Sequence, residues 1–288
     1  MPDSPRRMFL IGSEATKAMS PPLWNKVFEQ LQLQHNWIYE GLDVPTNARM
    51  DEVRQRILGP DVVAGNVTMP HKSWAARTAD EATMEVTLSG AANLLVHRNG
   101  KLQAHNTDIT ACRDLLPVED RMHALFFGAG GAARAALVAL RHTAKLVTIT
   151  DRDQAASSSL ADLAHSLGIE SQVITWEVGQ ERAHQASIIV NATPIGKAAE
   201  DPPVWGISNL ARDAFIYDFV YAGHETATIS NARGRGLKYA DGWAHLCAQA
   251  LAMVPILQLP SQTSQILPTV LGALKEAATT GEVVGAVV

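Results

Sequence analysis

The sequence predicts an α/β protein with two domains, and two features of the chain favour that class. Strand-like apolar runs alternate with helical patterns along most of its 288 residues, which is typical of α/β layers. A glycine-rich segment, Gly128–Ala133, directly follows the strand-like run Ala124–Phe127 and opens a helical pattern. We therefore expect an N-terminal α/β domain followed by a doubly wound parallel sheet of the Rossmann type.

The composition is that of a globular protein with a substantial core, since 47% of the residues are hydrophobic and 18% are charged. A net charge of −5 without a block of basic residues argues against nucleic acid as a partner. No apolar run is long enough for a membrane span. Cys112 and Cys247 lie far apart, and no histidines cluster at metal-ligand spacing. We expect a cytoplasmic monomer or homodimer with no metal site.

The first region is expected to alternate strands and helices. Ser20 and Pro21 suit an N-cap and a first helical position. Asn99-Gly100, between two strand-like runs, is a strong hairpin signal because both central residues need positive φ. The predicted strands are Met8–Gly12, Asn36–Asp43, Asp61–Val67, Asn93–His97 and Lys101–Ala104, with helices after Ser20 and from about Asn47.

The second region is expected to form the parallel sheet, with two helices after it. The predicted strands are Ala124–Phe127, Leu146–Thr150, Val173–Ile174, Ser187–Val190 and Phe215–Tyr217, and the predicted helices are Arg134–Arg141, Ala155–Leu167, Trp243–Gln258 and Pro268–Ala278. Pro268 is placed at a first helical position. The predicted domains are 1–108 plus 243–288 for substrate and 109–242 for a dinucleotide, with a cleft between them.

The glycine-rich segment matches the dinucleotide-binding pattern G-x-G-x-x-G/A. Gly128 would make the turn, Gly130 would admit a pyrophosphate, and Ala133 would let helix and strand pack closely. The backbone N–H groups of Gly131 and Ala132 would face the phosphates at the helix N-terminus.

The end of the next strand bears on the choice between NAD and NADP. Asp151 lies about 20 residues beyond the loop, where an acid accepts the ribose 2′-hydroxyl of NAD. Asp153 adds negative charge, whereas Arg152 could pair with the 2′-phosphate of NADP. We therefore expect NAD to be preferred, with NADP possible. Alternatively, Asp151 or Asp153 caps the following helix.

Eight short motifs, taken together and in order, resemble those of the shikimate/quinate dehydrogenase family. They are Ser20-Pro21 with Asn25, Asn66–Lys72, Gly90–Asn93, Asn106–Asp108, Gly128–Arg134, Asn191–Thr193, Tyr217-Asp218 with Tyr221, and Asp241-Gly242 with Gln249. The resemblance implies a substrate domain and a nicotinamide domain, and a catalytic pair formed by Lys72 and Asp108. A lysine amine can take the proton of a hydroxyl group as hydride leaves the adjoining carbon.

The resemblance also implies ligand-binding residues, several of which have a structural alternative. The implied substrate-binding residues are Ser20, Thr68, Asn93, Tyr221 and Gln249, and the further cofactor-binding residues are Asn191, Thr193, Phe219 and Gly242. Asn93 and Gln249 could instead be satisfied core polar groups, and Tyr221 an ordinary core tyrosine. Asn191 and Thr193 could form an Asx-type turn.

Two positions depart from the family pattern where the substrate carboxylate is expected. Ala18 and Leu94 stand where the family usually has serine and threonine. Losing these hydroxyl partners would weaken shikimate binding about 10-fold or more. Either the ligand differs at this end, or Thr16 or Lys17 compensates.

The sequence thus predicts an NAD(P)-dependent oxidoreductase that interconverts shikimate or quinate, or a close hydroxylated ring carboxylate, with its ketone. One alternative is a dehydrogenase for a different hydroxylated ring compound. Another is a cofactor-binding regulator without turnover, in which Lys72 would not support activity.

Overall fold

The computed structural model describes residues 5–120 and 122–280. Within this range the chain divides into two compact units. Unit 1 comprises residues 5–107 with 249–277, and unit 2 comprises residues 108–248 with 278–280. The domain boundaries inferred from the sequence stay a prediction. The predicted domains include residues 1–4, 121 and 281–288, which lie outside the described part of the chain.

Unit 1 contains a six-stranded mixed sheet. Its strands are β1 (Arg6–Gly12), β2 (Trp37–Asp43), β3 (Val62–Val67), β4 (Glu81–Ala82), β5 (Leu94–Arg98) and β6 (Lys101–His105), and its helices are α1 (Ser20–Gln30), α2 (Met50–Ile57), α3 (Lys72–Thr78) and α4 (Met84–Ser89). The strand order is β2-β1-β3-β5-β6-β4. Strand β5 runs antiparallel to both β3 and β6, and the other pairs are parallel.

The predicted hairpin joins β5 and β6. Arg98 pairs with Lys101, and Asn99 and Gly100 both have positive φ, 52° and 75°. This backbone is the one that an Asn-Gly turn favours because it matches the twist of the strands. The prediction of a hairpin is confirmed.

Unit 2 contains a six-stranded parallel sheet. Its strands are β7 (Met122–Phe127), β8 (Ala144–Thr150), β9 (Glu170–Val173), β10 (Ile188–Asn191), β11 (Phe215–Asp218) and β12 (Lys238–Ala240). The remaining helices of the described chain are α5 (Thr107–Leu115), which precedes this sheet, α6 (Gly131–Ala139), α7 (Gln154–Ser166), α8 (Trp176–Glu181), α9 (Ala227–Gly234), α10 (Gly242–Ile256) and α11 (Thr263–Thr280). The chain passes between the units in α5, α10 and α11.

The strand order in unit 2 is β12-β11-β10-β7-β8-β9, and every pair is parallel. This is the 3-2-1-4-5-6 order of a doubly wound dinucleotide-binding fold, with its switch point between β7 and β10. The central strands are buried on both faces, as the continuous apolar runs in the sequence predicted. The predicted α/β class with a Rossmann-type sheet is confirmed.

Several predicted helix starts are displaced: α2 begins at Met50 and α6 at Gly131, and the starts of α1 and α11 are wrong at a proline. Helix α1 begins at Ser20 itself, because the N–H of Leu23 donates to the carbonyl of Met19, which makes Met19 the N-cap. Helix α11 begins at Thr263, so Pro268 lies inside it. Thr263 and Leu267 are both fully buried one turn apart, so tertiary packing extends the helix across the proline.

Within the described ranges, no helix combines the length and the apolar character needed to cross a membrane.

Candidate active site

In unit 1, two predicted substrate-binding residues meet at a hydroxyl group. The side-chain amide of Asn93 donates to Thr107 Oγ1 at 2.9 Å, and its oxygen accepts from the Thr107 N–H at 2.8 Å. The Thr107 hydroxyl also lies 3.3 Å from Gln249 Oε1. All three side chains are buried. We call Asn93, Thr107 and Gln249 the amide–hydroxyl cluster. Thr107 was not predicted as a site residue, although it is the central residue of the Asn-Thr-Asp motif.

The sheet of unit 1 fixes Asn93 through its backbone. Asn93 O accepts from Val67 N at 2.8 Å at the end of β3, and Asn93 N donates to His105 O at 3.1 Å. The amide of Asn66 lies 3.3 Å from the same carbonyl, and the hydroxyl of Tyr39 holds the Asn66 oxygen at 2.8 Å. The cluster is therefore attached to three strands, which limits how far its polar atoms can move.

Lys72 is the first residue of α3 and is half-buried. Its carbonyl accepts from Ala92 N at 2.9 Å, so its backbone is joined to the segment that carries Asn93. Thr68 and Ser20, also in unit 1, are half-buried, and their side chains make no hydrogen bond within the described residues. The structure thus brings Asn93 and Gln249 together and joins Lys72 to the same segment by its backbone.

In unit 2, Asp108 lies near the start of α5 and is 5% exposed. Its Oδ1 lies 3.3 Å from Nε2 of His245, which α10 contributes. The other ring nitrogen of His245 is 2.7 Å from the Tyr217 hydroxyl at the end of β11. His245 was not predicted from the sequence, although its position four residues before Gln249 places both on one face of a helix.

An aromatic ring packs against the imidazole, and two further rings lie on the elements beside it. The ring of Phe219 meets that of His245 edge-on at 4.6 Å, and the Tyr221 ring lies 5.6 Å from that of Trp243. Burial raises the pKa of Tyr221, and the nearby Asp108 raises it further. The hydroxyl of Tyr221 therefore stays protonated at neutral pH and can donate a hydrogen bond.

Gly242 begins α10 where the backbone of two elements comes very close. A Cβ at this position would lie 2.4 Å from both the carbonyl carbon and the oxygen of Val220, and 2.7 Å from Tyr221 N. Only glycine avoids this overlap, so the residue fixes how α10 packs on the segment after β11. The predicted role of its carbonyl toward a nicotinamide stays a prediction.

The glycine-rich loop between β7 and α6 has the geometry of a dinucleotide cradle. Gly128 has φ +101°, and a Cβ there would lie 2.7 Å from the carbonyl oxygen of Ala192. Beside Gly130 the position of a Cβ has no atom within 4 Å. Gly131 and Ala132 open the helix, so their N–H groups have no partner within it. The loop fits a pyrophosphate group, since it offers open space and N–H donors together.

The acids after β8 have defined partners. Asp151 accepts from Ala129 N at 2.7 Å and from Asp153 N at 2.8 Å, so its carboxylate supports the glycine-rich loop. Asp153 caps α7, accepting from Ala155 N at 2.9 Å and Ala156 N at 3.1 Å. Asp153 therefore has the helix-capping role that the sequence left as an alternative. Arg152 is exposed.

Asn191 and Thr193 form the Asx-type turn that the sequence left open. Asn191 Oδ1 accepts from the hydroxyl of Thr193 at 2.7 Å and from its N–H at 3.1 Å. Asn191 Nδ2 donates to Asp218, which also accepts from the Thr226 hydroxyl. Burial raises the pKa of Asp218 to about 6, although these hydrogen bonds oppose the shift. The side chains of Asn191 and Thr193 thus shape the loop after β10, and their predicted role in binding a cofactor stays a prediction.

The two departures from the family pattern lie in unit 1. Leu94 is fully buried, and on β5 it pairs directly with Asn66. The hydroxyl of Thr16 donates to Asp43 at 2.7 Å, and the ammonium of Lys17 lies 3.0 Å from Glu14. Thr16 and Lys17 therefore already contact carboxylates. Either residue would have to give up that contact to replace a missing hydroxyl at the substrate carboxylate.

Comparisons with known proteins cover almost the whole chain. The family model of the shikimate dehydrogenase substrate binding domain matches residues 10–95. A shikimate dehydrogenase (NADP(+)) of Rubrobacter xylanophilus is 35% identical over 84% of this chain and 87% of its own length. Another, of Methylobacterium radiotolerans, is 36% identical over 74% of this chain and 78% of its own. The chain belongs to the shikimate dehydrogenase family.

Solved structures of the shikimate dehydrogenase family have the same fold. That of Mycobacterium tuberculosis shikimate dehydrogenase is 28% identical, with a TM-score of 0.74 over 93% of this chain and 100% of that one. That of Thermus thermophilus shikimate 5-dehydrogenase, in complex with NADP(H) and shikimate, is 25% identical, with a TM-score of 0.73 over 92% and 99%. The predicted family, fold and oxidoreductase class are confirmed.

Membership of the shikimate dehydrogenase family leaves the individual site residues as predictions. The curated relatives are named for NADP(+), whereas Asp151 and Asp153 led us to expect NAD. Among the described residues, no group of three or more His, Cys, Asp or Glu side chains is arranged to hold a metal ion.

Proposed function

We propose that the chain catalyses the reversible, nicotinamide-dependent oxidation of shikimate, or of quinate, to the 3-dehydro ketone. The similarity to named shikimate dehydrogenases over most of the chain carries this proposal. The buried amide–hydroxyl cluster supports it, because amide and hydroxyl groups suit a polyhydroxylated ring.

In this proposal a bound nicotinamide supplies the acceptor for the hydride that leaves the substrate carbon. Lys72 takes the hydroxyl proton on its Nζ and returns it in the reverse direction. Asp108 accepts a hydrogen bond from the reacting hydroxyl or orients the lysine. The other polar groups of the substrate are proposed to be bound by the side chains of Asn93, Thr68, Gln249, Ser20 and Tyr221.

Turnover tests this proposal directly. Purified protein is mixed with shikimate or quinate and with NAD⁺ or NADP⁺, and the formation of reduced nicotinamide is recorded for the four pairs. Turnover of either acid that is lost in Lys72→Ala supports the proposal. A regulator without turnover would bind the dinucleotide yet give no Lys72-dependent signal with any pair.

Ala18 and Leu94 favour a second candidate substrate class. This class is a hydroxylated ring compound that does not need the carboxylate contacts usual in the family. Introducing Ala18→Ser and Leu94→Thr together is expected to lower the KM for shikimate about 10-fold, since two hydroxyl donors return. Steady-state kinetics measures the change. Leu95→Thr is the matched control, because Leu95 is also fully buried on β5 but points to the opposite face. An unchanged KM in the double variant would contradict the idea that these positions select the ligand.

We also propose that NAD is preferred over NADP, because Asp151 and Asp153 place negative charge where the 2′-phosphate is expected. Asp153→Ser keeps an oxygen that can cap α7 and removes one charge. Its kcat/KM with NADP⁺ is expected to rise about 10-fold, since a like charge a few ångströms away costs on the order of 1–3 kcal/mol. Asp162→Ser, on the exposed face of α7, is the control. A wild-type protein that already prefers NADP⁺ would contradict this assignment.

A further inference from the structure

His245 is a buried imidazole whose two nitrogens both have partners. Its Nε2 lies 3.3 Å from Asp108 Oδ1, and its Nδ1 lies 2.7 Å from the Tyr217 hydroxyl. The side chains of His245 and Asp108 are only 10% and 7% exposed. His245 lies on α10, Asp108 on α5 and Tyr217 on β11, so these three hydrogen-bonded side chains meet only in the folded protein.

The chemistry of the partners assigns the protons. An ionised carboxylate only accepts hydrogen bonds, so Nε2 carries the proton that faces Asp108. In a neutral imidazole Nδ1 is then an acceptor, and it takes the proton of Tyr217. Burial raises the pKa of the Tyr217 hydroxyl, and the nearby Cys112 raises it further, so Tyr217 retains the proton that it donates. The Tyr217 hydroxyl therefore complements the tautomer that donates to Asp108.

The surroundings keep this arrangement in place. Phe219 packs edge-on against the imidazole at 4.6 Å, and Tyr217 does so at 5.9 Å. The backbone N–H of His245 donates to the carbonyl of Asp241 at 3.0 Å. The ring is held by contacts on its faces and at both nitrogens, so it has little freedom to turn away from Asp108.

We propose that His245 is a positioning residue that holds the carboxylate of Asp108 in one orientation, with the Tyr217 hydroxyl bonded to the other nitrogen of its ring. The proposal rests on the proposed function for its kinetic consequence, because Asp108 acts there on the reacting hydroxyl. His245 itself touches neither substrate nor cofactor in this scheme.

Kinetics of three variants test the proposal. His245→Leu removes the N–H that faces Asp108, and kcat is expected to fall about 10- to 100-fold while the dissociation constant of the dinucleotide is unchanged. His245→Gln can still present an N–H toward Asp108, so it is expected to recover most of kcat. Tyr217→Phe keeps the ring and is expected to lower kcat less than His245→Leu does. His165→Leu, on the exposed side of α7, is the control for loss of a histidine.

A double-mutant cycle separates positioning from a general loss of structure. If His245 acts through Asp108, His245→Leu has little further effect on kcat in the Asp108→Asn background. The same fold-loss in both backgrounds would overturn the proposal, and so would full activity of His245→Leu. If His245→Leu does not fold, the variants His245→Gln and Tyr217→Phe still test the proposal. A wild-type kcat in both of them would overturn it.

A measurement without turnover distinguishes failure of this inference from failure of the proposed function. Nitrogen-15 chemical shifts of the His245 ring in the full-length protein report which nitrogen carries the proton. We expect the proton on Nε2 in the wild type and a weakened preference in Tyr217→Phe. A wild-type proton on Nδ1 overturns the inference whether or not shikimate is oxidised, whereas absent turnover with the proton on Nε2 overturns only the proposed substrate.

Discussion

Lys72→Met is expected to lower the kcat for shikimate oxidation by roughly 100- to 10,000-fold, the range over which a positioned acid–base group acts. Methionine has nearly the same length as lysine, so the half-buried side chain at the start of α3 keeps most of its packing. The change removes the amine that is proposed to take the hydroxyl proton. The dissociation constant of the dinucleotide, measured by fluorescence titration, is expected to stay the same.

The control for Lys72→Met is Lys26→Met on α1, where the lysine is exposed and pairs with Glu29 at 2.8 Å. An exposed ion pair of this kind contributes little to stability, so kcat and the unfolding temperature should both stay near the wild-type values. If Lys72→Met retained more than a tenth of the wild-type kcat at neutral pH, another group would have to take the proton.

Gly242→Ala is expected to lower both stability and turnover severely. The new methyl group would lie 2.4 Å from the carbonyl of Val220, about 1 Å inside a normal contact, and the obstacle is backbone that cannot rotate away. Overpacking of this kind costs about 1–3 kcal/mol or more. Because a domain of this size loses about 2–4 °C per kcal/mol, the unfolding temperature should fall by roughly 2–12 °C.

Turnover in Gly242→Ala should fall further than stability alone explains. The shift would move Val220 and Tyr221 relative to the start of α10, which also carries His245, the partner of Asp108. A displacement of about 1 Å near reacting groups can cost about 100-fold in rate.

Gly272→Ala is the matched control for Gly242→Ala, since Gly272 lies in α11 and a Cβ there meets nothing within 4 Å. Alanine is favoured over glycine inside a helix by about 1 kcal/mol, so this variant should be as stable as the wild type or more so. Equal unfolding temperatures for the two variants would show that the segment after β11 moves aside without cost.

The sequence was sufficient for most of the fold because its elements carry local signals. Apolar runs mark the buried strands β7 and β10, Asn99-Gly100 marks the hairpin, and the loop before α6 follows a strand directly. The errors arose where long-range packing decides. Pro268 looked like a helix start, but the burial of Thr263 and Leu267 extends α11 five residues further back.

The polar groups of the site were only partly predictable for the same reason. Asn93 and Gln249 carry motif signals, but Thr107, which joins them, becomes visible only when β5, α5 and α10 are assembled. His245 has no short-range pattern that pairs it with Asp108, 137 positions away. Sequence alone also cannot say that Asp153 caps α7 while Asp151 bonds to Ala129, because both acids suit either role.

The close approach of Gly128 to Ala192 means that backbone atoms form this part of the proposed dinucleotide site. A Cβ on Gly128 would lie 2.7 Å from the carbonyl of Ala192, so backbone atoms of two neighbouring strand ends form this part of the cradle. Backbone groups present the same donors whatever side chains they carry. In the proposed site, selectivity between NAD and NADP is then expected to depend on the exposed side chains after β8, such as Arg152 and Asp153. On the proposed function, a change of coenzyme is therefore expected to need substitutions in that one short segment, while the backbone contacts with the phosphates are kept.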